Sequence, residues 1–251
     1  MIPKILHYCW FGGGELPALE SSCVETWHKV MSGYEIRRWD ETNFDIRRCD
    51  FACEAYDQGM YAFVSDYARY VILHEQGGVF LDTDVKALRP YDSLLGNRAF
   101  CGYMQNNKYV NPGLILGSER GFPFFDEVIE RYESLNFNQS DNRVNPLTSP
   151  RLLTGLLTEE HGLRCDGAYQ DLDCGLTIYP AEYFDPLDSH SGAMNVTDNT
   201  FSVHLYSGTW LSPAKKYRIE KRKQLEPKVG PNLSWFISSG LSVLKYGRKA
   251  F

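Results

Sequence analysis

The sequence predicts an α/β protein built on one sheet with much parallel pairing. Three observations point there. Short apolar runs of strand length alternate with longer stretches of three- and four-residue apolar spacing. The 251 residues suit one large domain, and 43% apolar residues suffice for a sizeable core. No internal repeat or low-complexity linker interrupts the pattern.

In chain order, Ile5–Tyr8 reads as a first buried strand ending near Trp10, and Gly12-Gly13-Gly14 as a flexible loop. Residues 17–30 read as a helix and Tyr34–Trp39 as a second strand. Residues 62–75 form the clearest helix. Val64, Ala68, Val71, Ile72 and Glu75 recur at helical steps, and Gly77-Gly78 ends it. Val79–Leu81 is a short apolar strand with Asp82 at its end. Phe100–Tyr103 and Gly113–Leu116 are further strands; Phe124–Leu135 and Arg151–Glu160 are helices. Leu176–Tyr179 and Ser202–Tyr206 are late strands. Lys215–Leu225 is a basic helix and Trp235–Tyr246 an amphipathic one.

The formal net charge is −6, against a general nucleic-acid binder, but it is unevenly spread. Residues 215–251 hold ten Lys/Arg and two acids, a net of +8. The remainder holds 16 Lys/Arg and 30 acids, a net of −14. The acidic body suits a metal site. The basic tail reads either as a helix packed on the domain with a charged outer face or as a surface resting on an anionic membrane. Seven cysteines occur without paired CxxC units, so their spacing does not predict structural zinc. The thiols read as reduced. With no basic-then-apolar leader apparent, the expected location is the cytoplasm, peripheral at the inner face of a membrane if the tail binds lipid.

The chemistry concentrates in Gly77-Gly78-Val79-Phe80-Leu81-Asp82-Thr83-Asp84-Val85. Ligands of open α/β sheets collect beyond the carboxyl ends of strands. Two carboxylates placed there, one residue apart, repel unless a cation lies beside them. Mg²⁺ or Mn²⁺ suits such oxygens and leaves positions for phosphate. The preceding helix sets Asp66 and Arg69 at i and i+3 on one face. They read either as a local ion pair or as a hydroxyl acceptor and a forked phosphate donor. His204 reads as a structural residue or as a third metal ligand, and His7 as a core or loop residue.

Ser65-Asp66-x-x-Arg69-Tyr70 followed by Gly77–Asp84 resembles the core motif of glycosyltransferase family 32, the sugar-binding region containing a DXD motif. Ile2–Gly13 is similar to the start of bacterial capsular-polysaccharide members, and Arg38-Trp39-Asp40, Ile178–Phe184 and His204–Trp210 resemble further blocks. The resemblance covers about residues 2–211. It implies a GT-A-type, Rossmann-like mixed sheet flanked by helices as a single catalytic domain over 1–211, with 212–251 a basic helical extension. It also implies a UDP- or GDP-sugar donor, a saccharide or lipid-linked saccharide acceptor, Mn²⁺ or Mg²⁺, retention at the anomeric carbon, and a role in bacterial surface polysaccharide synthesis. On motif position, Asp84 and Asp82 hold the metal with His204. Asp66, Arg69 and Asp84 are catalytic, and Trp10, Phe11, Asp66, Arg69, Asp82, Thr83, Asn111 and Trp210 contact the donor. The family's Asn-Ala is here Asn111-Pro112-Gly113, and Thr209 stands where many members have Ser.

Two other readings fit parts of the pattern. A strand followed by Asp-x-Asp is also the first motif of haloacid-dehalogenase-type phosphohydrolases, with Asp82 as nucleophile, although about 80 residues precede it here and no later Lys and acidic-pair motif follows. A non-catalytic sugar-binding protein would share the fold. Residues 102–112 and 136–150 are expected to form acceptor-side loops.

Overall fold

A computed structural model describes residues 1–105, 107–137, 147–188, 192–209 and 211–247. The chain divides into two compact units, one of residues 1–187 with 194–205 and the other of 188–193 with 206–251.

The first unit contains β1 (Ile5–Cys9), α1 (Ala18–Val30), β2 (Glu35–Trp39), α2 (Asp50–Asp57), α3 (Tyr61–Gln76), β3 (Gly78–Phe80), β4 (Val85–Ala87), β5 (Ala99–Gly102), β6 (Leu116–Ser118), α4 (Phe124–Glu133), α5 (Ser149–Glu160), β7 (Gln170–Asp171), β8 (Leu176–Tyr179) and β9 (Ser202–His204). Seven strands form one sheet in the order β2-β1-β3-β6-β5-β8-β7. β1 pairs in parallel with β2 and β3, and β5 with β8. β6 runs antiparallel between β3 and β5. The sheet is therefore mixed and flanked by helices, the α/β architecture with parallel pairing that the sequence predicts. A second, two-stranded sheet pairs β4 with β9.

Apolar side chains alternate across the main sheet, as strand geometry requires. Phe80, Ala99, Cys101 and Leu116 join the core cluster with α3, α4 and α5. Val79, Leu81 and Phe100 join the opposite cluster, with Trp27 of α1. α1 is fixed to β4 by Trp27 Nε1 donating to the Val85 carbonyl at 2.7 Å and by the Ala87 N–H donating to Thr26 Oγ1 at 3.0 Å.

The helix-to-strand junction at Gly77-Gly78 is where glycine is required. Gly77 caps α3 at φ +65°, its N–H donating to the Leu73 carbonyl. Gly78 sits at φ +114°, and a Cβ there would lie 2.6 Å from the Ile5 carbonyl oxygen and 2.8 Å from His7 Nε2. His7 is fully buried behind it. Its Nε2 bonds the Gly77 carbonyl at 2.9 Å, and its Nδ1 accepts from Trp39 Nε1 at 3.0 Å. That pairing fixes a neutral tautomer, and burial lowers the His7 pKa to about 4. His7 is a core residue.

Two sequence expectations need correction here. Gly113–Ile115 is not strand; β6 begins at Leu116. The Asn111 side chain captures the Gly113 N–H at 2.8 Å and the Leu114 N–H donates to the Asn111 carbonyl, so the chain turns before it pairs. The last strand ends at His204 rather than Tyr206, which has φ +52°. Of the expected acceptor-side loops, residues 106 and 138–146 lie outside the described residues.

The second unit carries α6 (Pro213–Val229) and α7 (Pro231–Tyr246), packed against each other. Ser212 caps α6, its side chain accepting from the Lys215 N–H.

Candidate active site

The Asp82–Asp84 segment is a turn pinned from three directions. Leu81 N–H continues the β1 pairing to the His7 carbonyl, Asp82 N–H donates to the Gly113 carbonyl at 3.1 Å, and Val85 N–H closes the turn onto the Asp82 carbonyl. β4 starts at once at Val85, and its register sets Val85 opposite His204. The Leu205 N–H donates to the Asp84 carbonyl at 2.9 Å. This antiparallel pairing carries His204 across 120 residues of sequence to Asp84, where Nε2 lies 3.1 Å from Oδ1. Asp82, Asp84 and His204 each offer a ligand atom within 4.8 Å of the others. Asp84 and His204 are both buried. Burial alone would lower the His204 pKa, but the Asp84 carboxylate bonded to it, with charge from Asp82 and Asp185 behind, leaves it raised. Two carboxylates and one imidazole are a donor set that fits a divalent ion.

Arg69 organises the other side. Its side chain is only 3% exposed and lies with the guanidinium carbon 5.0 Å from the Phe80 ring centre. One nitrogen, Nη2, donates to Asp66 Oδ1 at 2.7 Å and to Asp82 Oδ1 at 3.2 Å, while Nε donates to the Ser65 carbonyl at 3.3 Å. The two carboxylates offset the cost of burying the guanidinium and hold its pKa well above the usual arginine range. Asp66 also accepts the Ser149 N–H at the start of α5, where the helix terminus favours a carboxylate. Burial nonetheless raises Asp66 to about 6, with Arg69 opposing and Asp82 adding to the rise.

The remaining predicted residues fall as follows. Thr83 lies half-buried in the turn between the two aspartates. Asn111 is buried with its Oδ1 accepting the Gly113 N–H at 2.8 Å. Trp10 is half-buried at the end of β1, its Nε1 donating to the Gly14 carbonyl at 2.9 Å. Phe11 turns into the core and packs edge-on against Phe44 at 6.0 Å, so its ring is a packing element. Trp210 lies outside the described residues.

Three contributors carry no motif of their own: Phe80 beneath Arg69, the Ser149 N–H on Asp66, and Gly113. A Cβ on Gly113 would lie 2.1 Å from Asp82 Oδ2 and 3.1 Å from Asn111 Oδ1. The glycine reserves the space that the Asp82 carboxylate occupies.

With two strand-end aspartates, a histidine and an arginine fork on one site, known families can be compared. Residues 17–101 match the family described as the glycosyltransferase sugar-binding region containing a DXD motif. Asp66, Arg69, Asp82, Thr83 and Asp84 fall inside the matched region; Asn111 and His204 lie outside it. An uncharacterized glycosyltransferase of Acanthamoeba polyphaga mimivirus is 29% identical over 168 residues, covering 63% of this chain and 66% of that protein. Inositol phosphoceramide mannosyltransferase 3 of Schizosaccharomyces pombe is 30% identical over 145 residues, 55% of this chain and 39% of that protein. The chain thus spans just under two thirds of the viral relative and well under half of the fungal one. Among solved structures, the PaToxG glycosyltransferase superposes with a TM-score of 0.50 at 15% identity, over 63% of this chain and 70% of its own, a likeness of fold.

Proposed function

We propose that this chain is a metal-dependent glycosyltransferase, a hexosyltransferase that moves a sugar from a UDP- or GDP-sugar to a saccharide or lipid-linked saccharide acceptor. The observation that carries the reading is the convergence of Asp82, Asp84 and His204 within 4.8 Å beside an arginine shared by Asp66 and Asp82. Asp82, Asp84 and His204 would hold Mn²⁺ or Mg²⁺, which when bound supplies positive charge against a departing diphosphate.

The protein's own residues do the rest. Arg69, immobilised under its two carboxylates, adds fixed positive charge beside the leaving group at no cost of reorganisation. Asp66 holds sugar hydroxyls. Arg69 and the Ser149 N–H take two of its acceptor positions and fix its orientation, leaving the others for hydroxyl donors, which supports a binding role over that of a nucleophile. Retention would come from attack on the donor's own face, the departing diphosphate accepting the acceptor's proton. Asn111 Nδ2 and the half-buried Trp10 would contact the donor. The fungal relative's name, a mannosyltransferase acting on inositol phosphoceramide, supports an acceptor carried on a lipid. The similarity of residues 2–13 to capsular-polysaccharide members supports a role in surface polysaccharide synthesis. A phosphohydrolase with Asp82 as nucleophile is disfavoured, because Arg69 already occupies Asp82 Oδ1 and antiparallel β6 interrupts the sheet.

The test is a screen of nucleotide sugars with Mn²⁺, reading free nucleoside diphosphate, on the wild-type protein and on Asp84→Asn. The substitution is expected to abolish release while the circular dichroism spectrum is unchanged. Full activity in Asp84→Asn would remove the metal role, and release of phosphate from simple esters instead would restore the phosphohydrolase.

A further inference from the structure

Helix α7 is built inside out. Ser234, Ser238, Ser239 and Ser242 are buried, and Ser242 Oγ donates to the Ala214 carbonyl of α6 at 3.1 Å. Large apolar side chains take the opposite side. Leu233, Phe236, Gly240 and Leu244 succeed one another at steps of three and four residues, with Leu233 53%, Phe236 72% and Leu244 85% exposed. Ile237, Leu241 and Val243 flank this stripe half-buried, and no charged residue occurs from Leu233 to Leu244. A contiguous apolar face of this kind marks a surface that something else covers.

Length and charge say what. The 16 residues of α7 span about 24 Å, short of the roughly 30 Å hydrocarbon layer. Among the described residues no helix is long and apolar enough to cross a membrane. α6 brings Lys215, Lys216, Arg218, Lys221, Arg222, Lys223 and Lys228 against Glu220 and Glu226, a net of +5. A second copy seated on α7 would bring a like-charged α6 beside the first, which opposes self-association. An anionic bilayer surface receives the apolar stripe and the basic side chains together.

We propose that the α6–α7 hairpin is an interfacial docking surface for anionic lipid. α7 lies along the bilayer with Leu233, Phe236 and Leu244 sunk to the level of the upper acyl chains. The long basic side chains of α6 reach the lipid phosphates. The surface goes beyond the transfer reaction and stands or falls without it.

The experiment is sedimentation of the full chain with phosphatidylcholine vesicles, with and without phosphatidylserine, comparing the wild type with the double variant Phe236→Asp/Leu244→Asp. Both side chains are solvent-exposed, so the variant is expected to fold; circular dichroism and release of nucleoside diphosphate from a soluble donor check this separately. The expected result is binding to the anionic vesicles only, weakened by added salt and at least tenfold by the double substitution. No binding, or binding that the double variant retains in full, would overturn the proposal. A dimer in light scattering that the same substitutions dissociate would assign the face to a second copy instead. Loss of transferase activity with vesicle binding intact would count against the catalytic reading alone.

Discussion

Gly113→Ala isolates the geometry of the DXD turn from its chemistry. The new methyl carbon would start 2.1 Å from Asp82 Oδ2 and 2.9 Å from its Cγ. Ordinary contact begins at about 3.4 Å, so the carboxylate oxygen must retreat by roughly 1.3 Å. The Gly113 backbone lies outside the left-handed region, so alanine strains no torsion there. The Asp82 side chain is 34% exposed and can rotate towards water. The folding cost is therefore one off-rotamer side chain and a partly exposed ion pair, about 1 kcal/mol together. The functional cost is larger, because a displacement of about 1 Å at a reacting site costs on the order of 100-fold. Gly113→Ala is expected to melt within a few degrees of wild type, to bind Mn²⁺ more weakly in calorimetry, and to lose roughly 100-fold in kcat/KM. If kcat/KM and Mn²⁺ affinity both stay within threefold of wild type, Asp82 does not act from the position described.

Two further outcomes follow from single side chains. Arg69→Lys keeps the charge but loses the fork that spans Asp66, Asp82 and the Ser65 carbonyl. It is expected to lower kcat/KM by about 10- to 100-fold and stability by about 1–2 kcal/mol, measured by donor titration and urea unfolding. His7 is neutral when folded, with a pKa near 4 against the ordinary 6.5 of an unfolded chain. Below pH 6.5 the unfolded state binds the extra proton, so stability present in full above that pH is lost as pH falls towards 4, by at most about 3 kcal/mol. Urea midpoints across that window should fall more steeply for wild type than for His7→Gln; equal slopes would show that His7 is not the group responsible.

What the sequence made legible, and what it did not, separates by the range of the interactions. The α3–β3–DXD unit is local. Helical spacing from Val64 to Glu75, a glycine pair that only positive φ explains, and an apolar strand lead straight to Asp82, and β3 lies as expected within two residues. The i, i+3 spacing of Asp66 and Arg69 is equally local, and so is their 2.7 Å contact. The hidden parts are non-local. β4 has only three residues, and its pairing with β9 is set by a register between positions about 120 apart, so the residues alone leave His204 open between a structural histidine and a metal ligand until that register is known. Ser149 reaches Asp66 through a backbone N–H, which no side-chain pattern records. Gly113 reads as the first residue of a strand, yet the sequence holds a signal for the turn. Asn-Pro-Gly is a turn tripeptide, and an asparagine two residues before a glycine is placed to capture its N–H.

The arrangement around Arg69 also decides which carboxylate is free to meet a ligand. Asp66 has a guanidinium and a helix-start N–H on it, and its side chain is 17% exposed. Asp84 is buried with His204 on its Oδ1. Asp82 gives Oδ1 to Arg69 at the longer 3.2 Å, keeps Oδ2 in the space Gly113 leaves, and is the most exposed of the three. A ligand arriving at the strand ends therefore meets Asp82 first, with Arg69 fixed behind it and Asp84 deeper. That order matches a site in which the outer aspartate touches an incoming donor and the inner one is anchored to the protein. It makes Asp82→Asn the variant whose loss should fall mainly on KM for the donor, and Asp84→Asn the one whose loss should fall mainly on kcat. Steady-state kinetics of the two variants on the donor found in the screen would show the split, and the reverse assignment would place the donor on the other side of the turn.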